Sequence, residues 1–233
     1  NGIILCNQDL LTINLKKRYS YSKEIITDKF QFVVIDEVHN LESKVRNSYT
    51  MEVSYASLQR TIEQGRKLAR GLGYTIDLKI KEYYKYLEVV FDDLYLQIRK
   101  QDEFAKKNDK EIERYYIDRD IPALQGLKDC VHDIFLEVSI QFGADDSYRN
   151  KDYDAELDAL ELQETLWESM LEPDSADIFW MNIKGKGKKG INLFSCPKDV
   201  NRRTETLFFS DSNFTTILTS ATITSGVGDK YEE

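Results

Sequence analysis

Hydrophobic positions follow two different spacings along this chain. Near the start, Ile3 to Cys6 and Phe32 to Ile35 are short, unbroken apolar runs. Runs of this kind suit buried strands of a parallel sheet covered on both faces. Between them, Asn7 stands ahead of "QDLLTINLKKR" as the cap of a first helix. From about residue 54 the period lengthens to 3.6. Ser54 precedes "YASLQRTIEQGRKLARGLG", a helix that Gly71 or Gly73 would end. Ile76, Ile80, Tyr83, Leu87, Val90, Leu94 and Ile98 recur at three- and four-residue steps, the stripe of a long amphipathic helix. A third helix is predicted from near Pro122 to near Gly143, and "DYDAELDALELQETLWESM" makes a fourth with an acidic outer face. Four helices with no strand between them predict a helical subdomain.

Beyond Pro173 the pattern returns to strands. "IFWMNI" and "INLFSC" flank a Gly/Lys turn and read as a hairpin. "PKDVNRRTETLFF" reads as a helix opened by proline and ended by Asp211, Ser212 and Asn213. "TTILTSATIT" reads as a β-branched strand running into a turn of small residues. The expected organisation is α/β at both ends, residues 1–50 and 178–233, around a helical block at 51–177.

With 41% apolar and 31% charged residues in 233, the composition is that of a polar globular protein. It contains no stretch of 18 apolar residues and no basic-then-apolar leader pattern, so a soluble, cytoplasmic chain without a membrane partner is expected. Cys6, Cys130 and Cys196 lie far apart, which predicts free buried thiols rather than a disulfide framework or a zinc site. A net charge of -9 speaks against a surface coated for nucleic acid but leaves room for a local groove. Residues 141–180 are strongly acidic, whereas Lys184, Lys186, Lys188 and Lys189 crowd one turn.

Chemistry concentrates in two places. "FVVIDEVHN" runs an apolar strand straight into Asp36 and Glu37. That places two carboxylates at the carboxyl edge of a sheet, where α/β proteins bind ligands. One can hold a Mg²⁺ ion through its waters and the other can polarise an attacking water, although solvated loop acids give the same dipeptide. The second place is "TSATIT", residues 219–224, whose hydroxyls can bond a neighbouring loop or form an ordinary strand-to-helix turn. His132 reads as a packed or surface histidine. Tyr83, Tyr84, Tyr86, Tyr95, Tyr115 and Tyr116 read as core, or as platforms for single-stranded bases. Lys16, Lys17 and Arg18 either touch phosphate or complement a helix end.

Taken together these motifs resemble a family. "VVIDEVHNLE" is similar to motif II of superfamily 2 helicases in the DEAH-box form, with Val38 for the usual alanine, and "ILTSATIT" is similar to motif III. "IILCNQDLL" resembles the "CNHALL" stretch ahead of motif II in the DinG/XPD-like DNA helicases. "INLFSCPKDVNRRTETLFF" resembles the segment before motif III of DinG-type members. The resemblance implies a partial RecA-like parallel sheet interrupted by a mainly helical, Arch-like insertion. It implies ATP hydrolysis driving movement along single-stranded DNA, 5′ to 3′, in repair or replication. Asp36 would position Mg²⁺-ATP, Glu37 would activate the hydrolytic water, and His39, Thr219, Ser220 and Thr222 would couple nucleotide state to DNA grip. The hairpin lysines Lys184, Lys186, Lys188 and Lys189 are candidate DNA contacts.

The departures shape the expectation. No G-x-x-x-x-G-K-S/T phosphate loop occurs in the 233 residues. "GKGKKGIN" approaches it, but Ile191 and Asn192 follow Gly190, and it precedes a strand instead of opening a helix. The four iron–sulfur cysteines of many relatives are also not within this chain. We therefore expect a piece of a larger helicase, with the phosphate-loop segment upstream and a second motor domain downstream, inactive by itself. The rival reading is a non-enzymatic module whose acidic helices bind a protein and whose motifs are relics.

Overall fold

The computed structural model describes residues 2–20, 24–144, 154–210 and 213–220, and shows a mixed α/β chain. The residues gather into two compact units, Asn1–Thr50 with Cys196–Glu233, and Met51–Ser195.

In the first unit, helix α1 (Gln8–Tyr19) starts as expected: the Asn7 side chain accepts from the Leu10 N–H at 2.8 Å. Strand β1 (Phe32–Ile35) leads through a 3-10 turn at Val38–Asn40 into α2 (Leu41–Tyr49). Helix α7 (Asn201–Phe208) and strand β6 (Thr215–Leu218) complete the unit, β6 lying parallel to β1 with Ile35 opposite Leu218. Leu15, Val33, Ile35, Leu41, Val45, Leu207 and Phe208 form its core.

Three expectations fail here. Ile3–Cys6 is not a strand: Ile3 and Leu5 are about nine-tenths exposed, Cys6 is exposed rather than buried, and no described segment pairs with the run. Apolar residues alone do not make a strand without a neighbouring ladder to bond. β1 is covered on one face only; Val33 and Ile35 are buried beneath the helices while Phe32 and Val34 are each 64% exposed. Pro197 ends a strand rather than opening a helix, and α7 begins at Asn201, whose N–H bonds the Asp199 carboxylate at 2.8 Å. Asp211 and Ser212, expected to stop that helix, lie outside the described residues.

The second unit holds the long helices. α3 (Tyr55–Gly71) opens with a reciprocal box between Ser54 and Ser57, and the chain turns away at Gly73, where φ is +86°. α4 (Asp77–Lys106) is about 45 Å long. Of its eight buried residues, Ile80, Tyr83, Leu87, Val90, Leu94 and Ile98 belong to the predicted stripe, and Phe91 and Ala105 add to it. α5 (Leu124–Ala144) and α6 (Asp154–Leu171) pack against one another and against α3.

The block is not purely helical. β2 (Met51–Ser54), β3 (Tyr115–Tyr116), β4 (Asp177–Ile183) and β5 (Ile191–Pro197) form an antiparallel sheet in the order β2-β5-β4-β3. The hairpin thus joins the helical unit, Met181, Ile191 and Leu193 entering the same core as Trp167 and Phe91. The division between compact units falls after Ser195, not at the 177/178 boundary drawn from pattern.

Candidate functional site at the ends of the parallel strands

Parallel pairing of β1 and β6 sets the site. Because the strands run together, their carboxyl ends emerge side by side, and the ladder continues one step past each. Thr219 N–H bonds Ile35 O at 2.8 Å, and Val38 N–H bonds Thr219 O at 3.1 Å. Asp36 to His39 and Thr219 to Ser220 therefore meet although 181 residues separate His39 from Ser220. The structure brings together five of the six coupling and catalytic candidates, Asp36, Glu37, His39, Thr219 and Ser220. Thr222 lies outside the described residues.

The turn itself is tightly defined. Glu37 sits in the left-handed region at φ 52°, ψ 50°, unusual for a residue with a long side chain. Such a conformation costs about 1–3 kcal/mol and persists where the surroundings enforce it. Three contacts do so. The Asp36 carboxylate accepts from the Glu37 N–H at 2.9 Å. The Gln8 amide, from the first turn of α1, donates to Asp36 O at 2.5 Å and to Glu37 O at 3.2 Å. His39 Nδ1 lies 3.3 Å from a Glu37 carboxylate oxygen and 3.2 Å from Ser220 Oγ.

Gln8 carries no role in the sequence reading, though it stands in the "CNQDLL" stretch singled out there. Its partners are 28 and 29 residues away, so no local pattern announces them. Thr12, fully buried one turn on, fixes the same end of α1 by donating to Gln8 O at 2.7 Å.

Asp36 and Glu37 are both exposed, and Asp36 uses one oxygen on its own loop, leaving the other for a ligand. Among the described residues no cluster of three metal-ligating side chains occurs. Two carboxylates suit the water-mediated hold on Mg²⁺ that a nucleotide-bound ion uses, its remaining ligands coming from phosphate. They do not suit a cage that holds metal without nucleotide.

The hairpin lysines behave less uniformly than their spacing suggests. Lys188 pairs with Glu88, and with Asp92 at 2.8 Å, both on α4. Lys184 lies 3.6 Å from Glu52 on β2, and the Lys189 ammonium stands over the Tyr55 ring. Lys188 is thereby committed to the protein's own acids. Its proton is held more tightly than usual, by the Asp92 hydrogen bond first, and Glu88 is held below the ordinary carboxylate range, by Lys188 first.

The tyrosines divide. Tyr83 and Tyr115 are buried, and the Tyr83 hydroxyl accepts from Gln163 at 2.6 Å. Tyr84, Tyr86 and Tyr95 pack partly buried on the same core, while Tyr116 is 72% exposed. His132 lies against Glu164 of α6, its Nδ1 2.5 Å from the carboxylate, a pairing between helices. Among the described residues no helix is long and apolar enough to cross a membrane.

Comparison of the chain with models of protein families finds no match, and comparison with curated proteins finds no significant match.

Proposed function

We propose that this chain supplies the hydrolytic and coupling motifs of a DinG/XPD-like helicase motor: part of a RecA-like domain, Asn1–Thr50 with the return at Cys196–Glu233, interrupted by an Arch-like unit. The observation that carries the reading is the meeting of "IDEVHN" with "LTS" at adjacent parallel strand ends. Two segments that resemble motifs II and III from sequence alone meet at one sheet edge, as they would if the intervening unit is an insertion. His39 Nδ1 to Ser220 Oγ, at 3.2 Å, is that contact.

In this reading Glu37 takes the proton of the attacking water, its exposed carboxylate lying 3.3 Å from His39 Nδ1. Asp36 orients the nucleotide, its carboxylate braced on the Glu37 N–H. Mg²⁺ bound with ATP supplies neutralising charge to the phosphates. Gln8 keeps both carbonyls of the acidic turn in place. His39 touches both the Glu37 carboxylate and the Ser220 hydroxyl, so a change at the nucleotide is felt at β6. Phosphate binding needs backbone N–H groups at a helix start and a lysine, so the reading requires a phosphate loop from residues other than these 233.

The test separates hydrolysis from movement. On the full product of the reading frame, Ser220→Ala should leave ATP turnover within roughly fivefold, since one neutral hydrogen bond contributes about 1 kcal/mol. Strand displacement per ATP should fall by more than that. Equal loss of both would remove the coupling role from Ser220.

A further inference from the structure

Two lysines of the hairpin, Lys184 and Lys188, turn toward the protein's own acids, and the same accounting of charge identifies cations that do not. In the first unit Arg18 pairs with Glu24, Lys44 with Asp9 and Arg46 with Glu42. Lys16 and Arg203 pair with no carboxylate among the described residues. Both instead approach a single ring. The Lys16 ammonium is 4.5 Å from the centre of Tyr49, and the Arg203 guanidinium is 5.1 Å from it.

We propose that Lys16 and Arg203, bracketing Tyr49, form a binding site for the phosphates of single-stranded DNA. The identity of this polyanion rests on the helicase reading; the anion site itself rests on geometry.

Three observations converge on it. Lys16 spends one N–H on Ser48 O, at 2.9 Å, so it caps the last turn of α2 rather than its own helix end. An ammonium has three donors, and two remain. Arg203 is exposed and makes neither hydrogen bond nor ion pair among the described residues, leaving a planar fork of donors that matches phosphate. The two cations repel: Lys16 loses its proton more readily than an ordinary lysine, through burial first and the charge of Arg203 second. A bound phosphate relieves that repulsion. Because Tyr49 is already contacted by both cations, the site reads backbone charge and not bases.

Connectivity links the site to the acidic turn. α1 carries Gln8, which holds Asp36 and Glu37, at one end and Lys16 about 12 Å along the same helix. α7 carries Arg203 and is tied to β6 through Thr216, whose hydroxyl donates to Phe208 O, three residues before Thr219. Each element that holds a cation thus also holds one of the two motifs.

The experiment is binding of a fluorescein-labelled oligo-dT to the 233-residue chain by anisotropy across KCl concentrations. Near-UV circular dichroism confirms the fold of each variant. Wild type should bind with a negative slope of log affinity against log salt. Arg203→Gln should reduce that slope by roughly 0.7, and adding Lys16→Met by roughly as much again, one counterion contribution per lost contact on single strands. Arg203→Lys should retain most of the slope. Lys110→Gln, at an exposed lysine of the other unit, should leave it unchanged. Unchanged slopes in folded Arg203→Gln and the double variant overturn the site, as does an equal fall in Lys110→Gln, or no binding by wild type at low salt. Failure of the helicase reading would look different: absent ATP turnover in the full product, with these slope changes intact.

Discussion

Glu37 shows how one residue serves conflicting demands. On the proposed reading a carboxylate is wanted where the strand ends, yet the backbone there is left-handed, a region glycine enters without cost and other residues do not. Stability and chemistry should therefore separate at this position. Glu37→Gly should unfold at a free energy about 1 kcal/mol higher than Glu37→Ala, read from paired urea titrations. An alanine variant as stable as the glycine variant would show that the turn relaxes out of the left-handed region. The carboxylates were legible in the sequence because an apolar run meeting Asp-Glu is a local pattern. Gln8 was not, since its partners lie on another element, and no spacing rule reports a side chain that crosses between them.

At the scale of elements, helices were read more accurately than strands. The α4 stripe needs only its own period and a core to face, so it is written in the sequence it occupies. A strand depends on a neighbour. Ile3–Cys6 has apolar residues and no partner among the described segments, whereas Tyr115–Tyr116, invisible as a pattern, becomes β3 because Met181 and Trp180 of β4 lie opposite. The hairpin tip is fastened in a way that pH should expose. Glu88 has a lowered pKa, so its contribution is present above the usual carboxylate value, about 4.3, and lost as pH falls through the lower folded value. Lys188 has a raised pKa, so its contribution is present below about 10.4 and lost as pH rises through the higher folded value. Lys188→Met should lower stability between these limits, by less than about 2 kcal/mol for two partly exposed pairs. The difference from wild type should vanish in stronger acid and stronger base. A deficit that does not shrink as pH falls through the folded-state titration of Glu88 would mean that Lys188 acts by packing its stem and not by charge.

For the whole molecule, the division into two units matters most. Met51–Ser195 is one continuous stretch whose core residues, from Tyr55 to Leu193, all lie within it. Expressed alone it should give the helical circular dichroism of α3 to α6 and a single cooperative thermal transition. A non-cooperative melt would show that the unit borrows its stability from the rest of the chain. The first unit is assembled from both ends of the sequence, as the order of the motifs led one to expect, and the fold adds that His39 and Ser220 meet at one sheet edge. Motif resemblance indicated those two segments; their contact is a property of the fold. The central claim is that Glu37 is the base of an ATP-driven motor. Its most direct test is steady-state ATP turnover by the full product of the reading frame, with and without single-stranded DNA, wild type against Glu37→Gln. The account predicts DNA-stimulated turnover that falls by roughly 10²- to 10⁴-fold in the variant, with Mg²⁺-ATP binding retained. A fall of less than about tenfold, well short of what general-base removal costs, would contradict it.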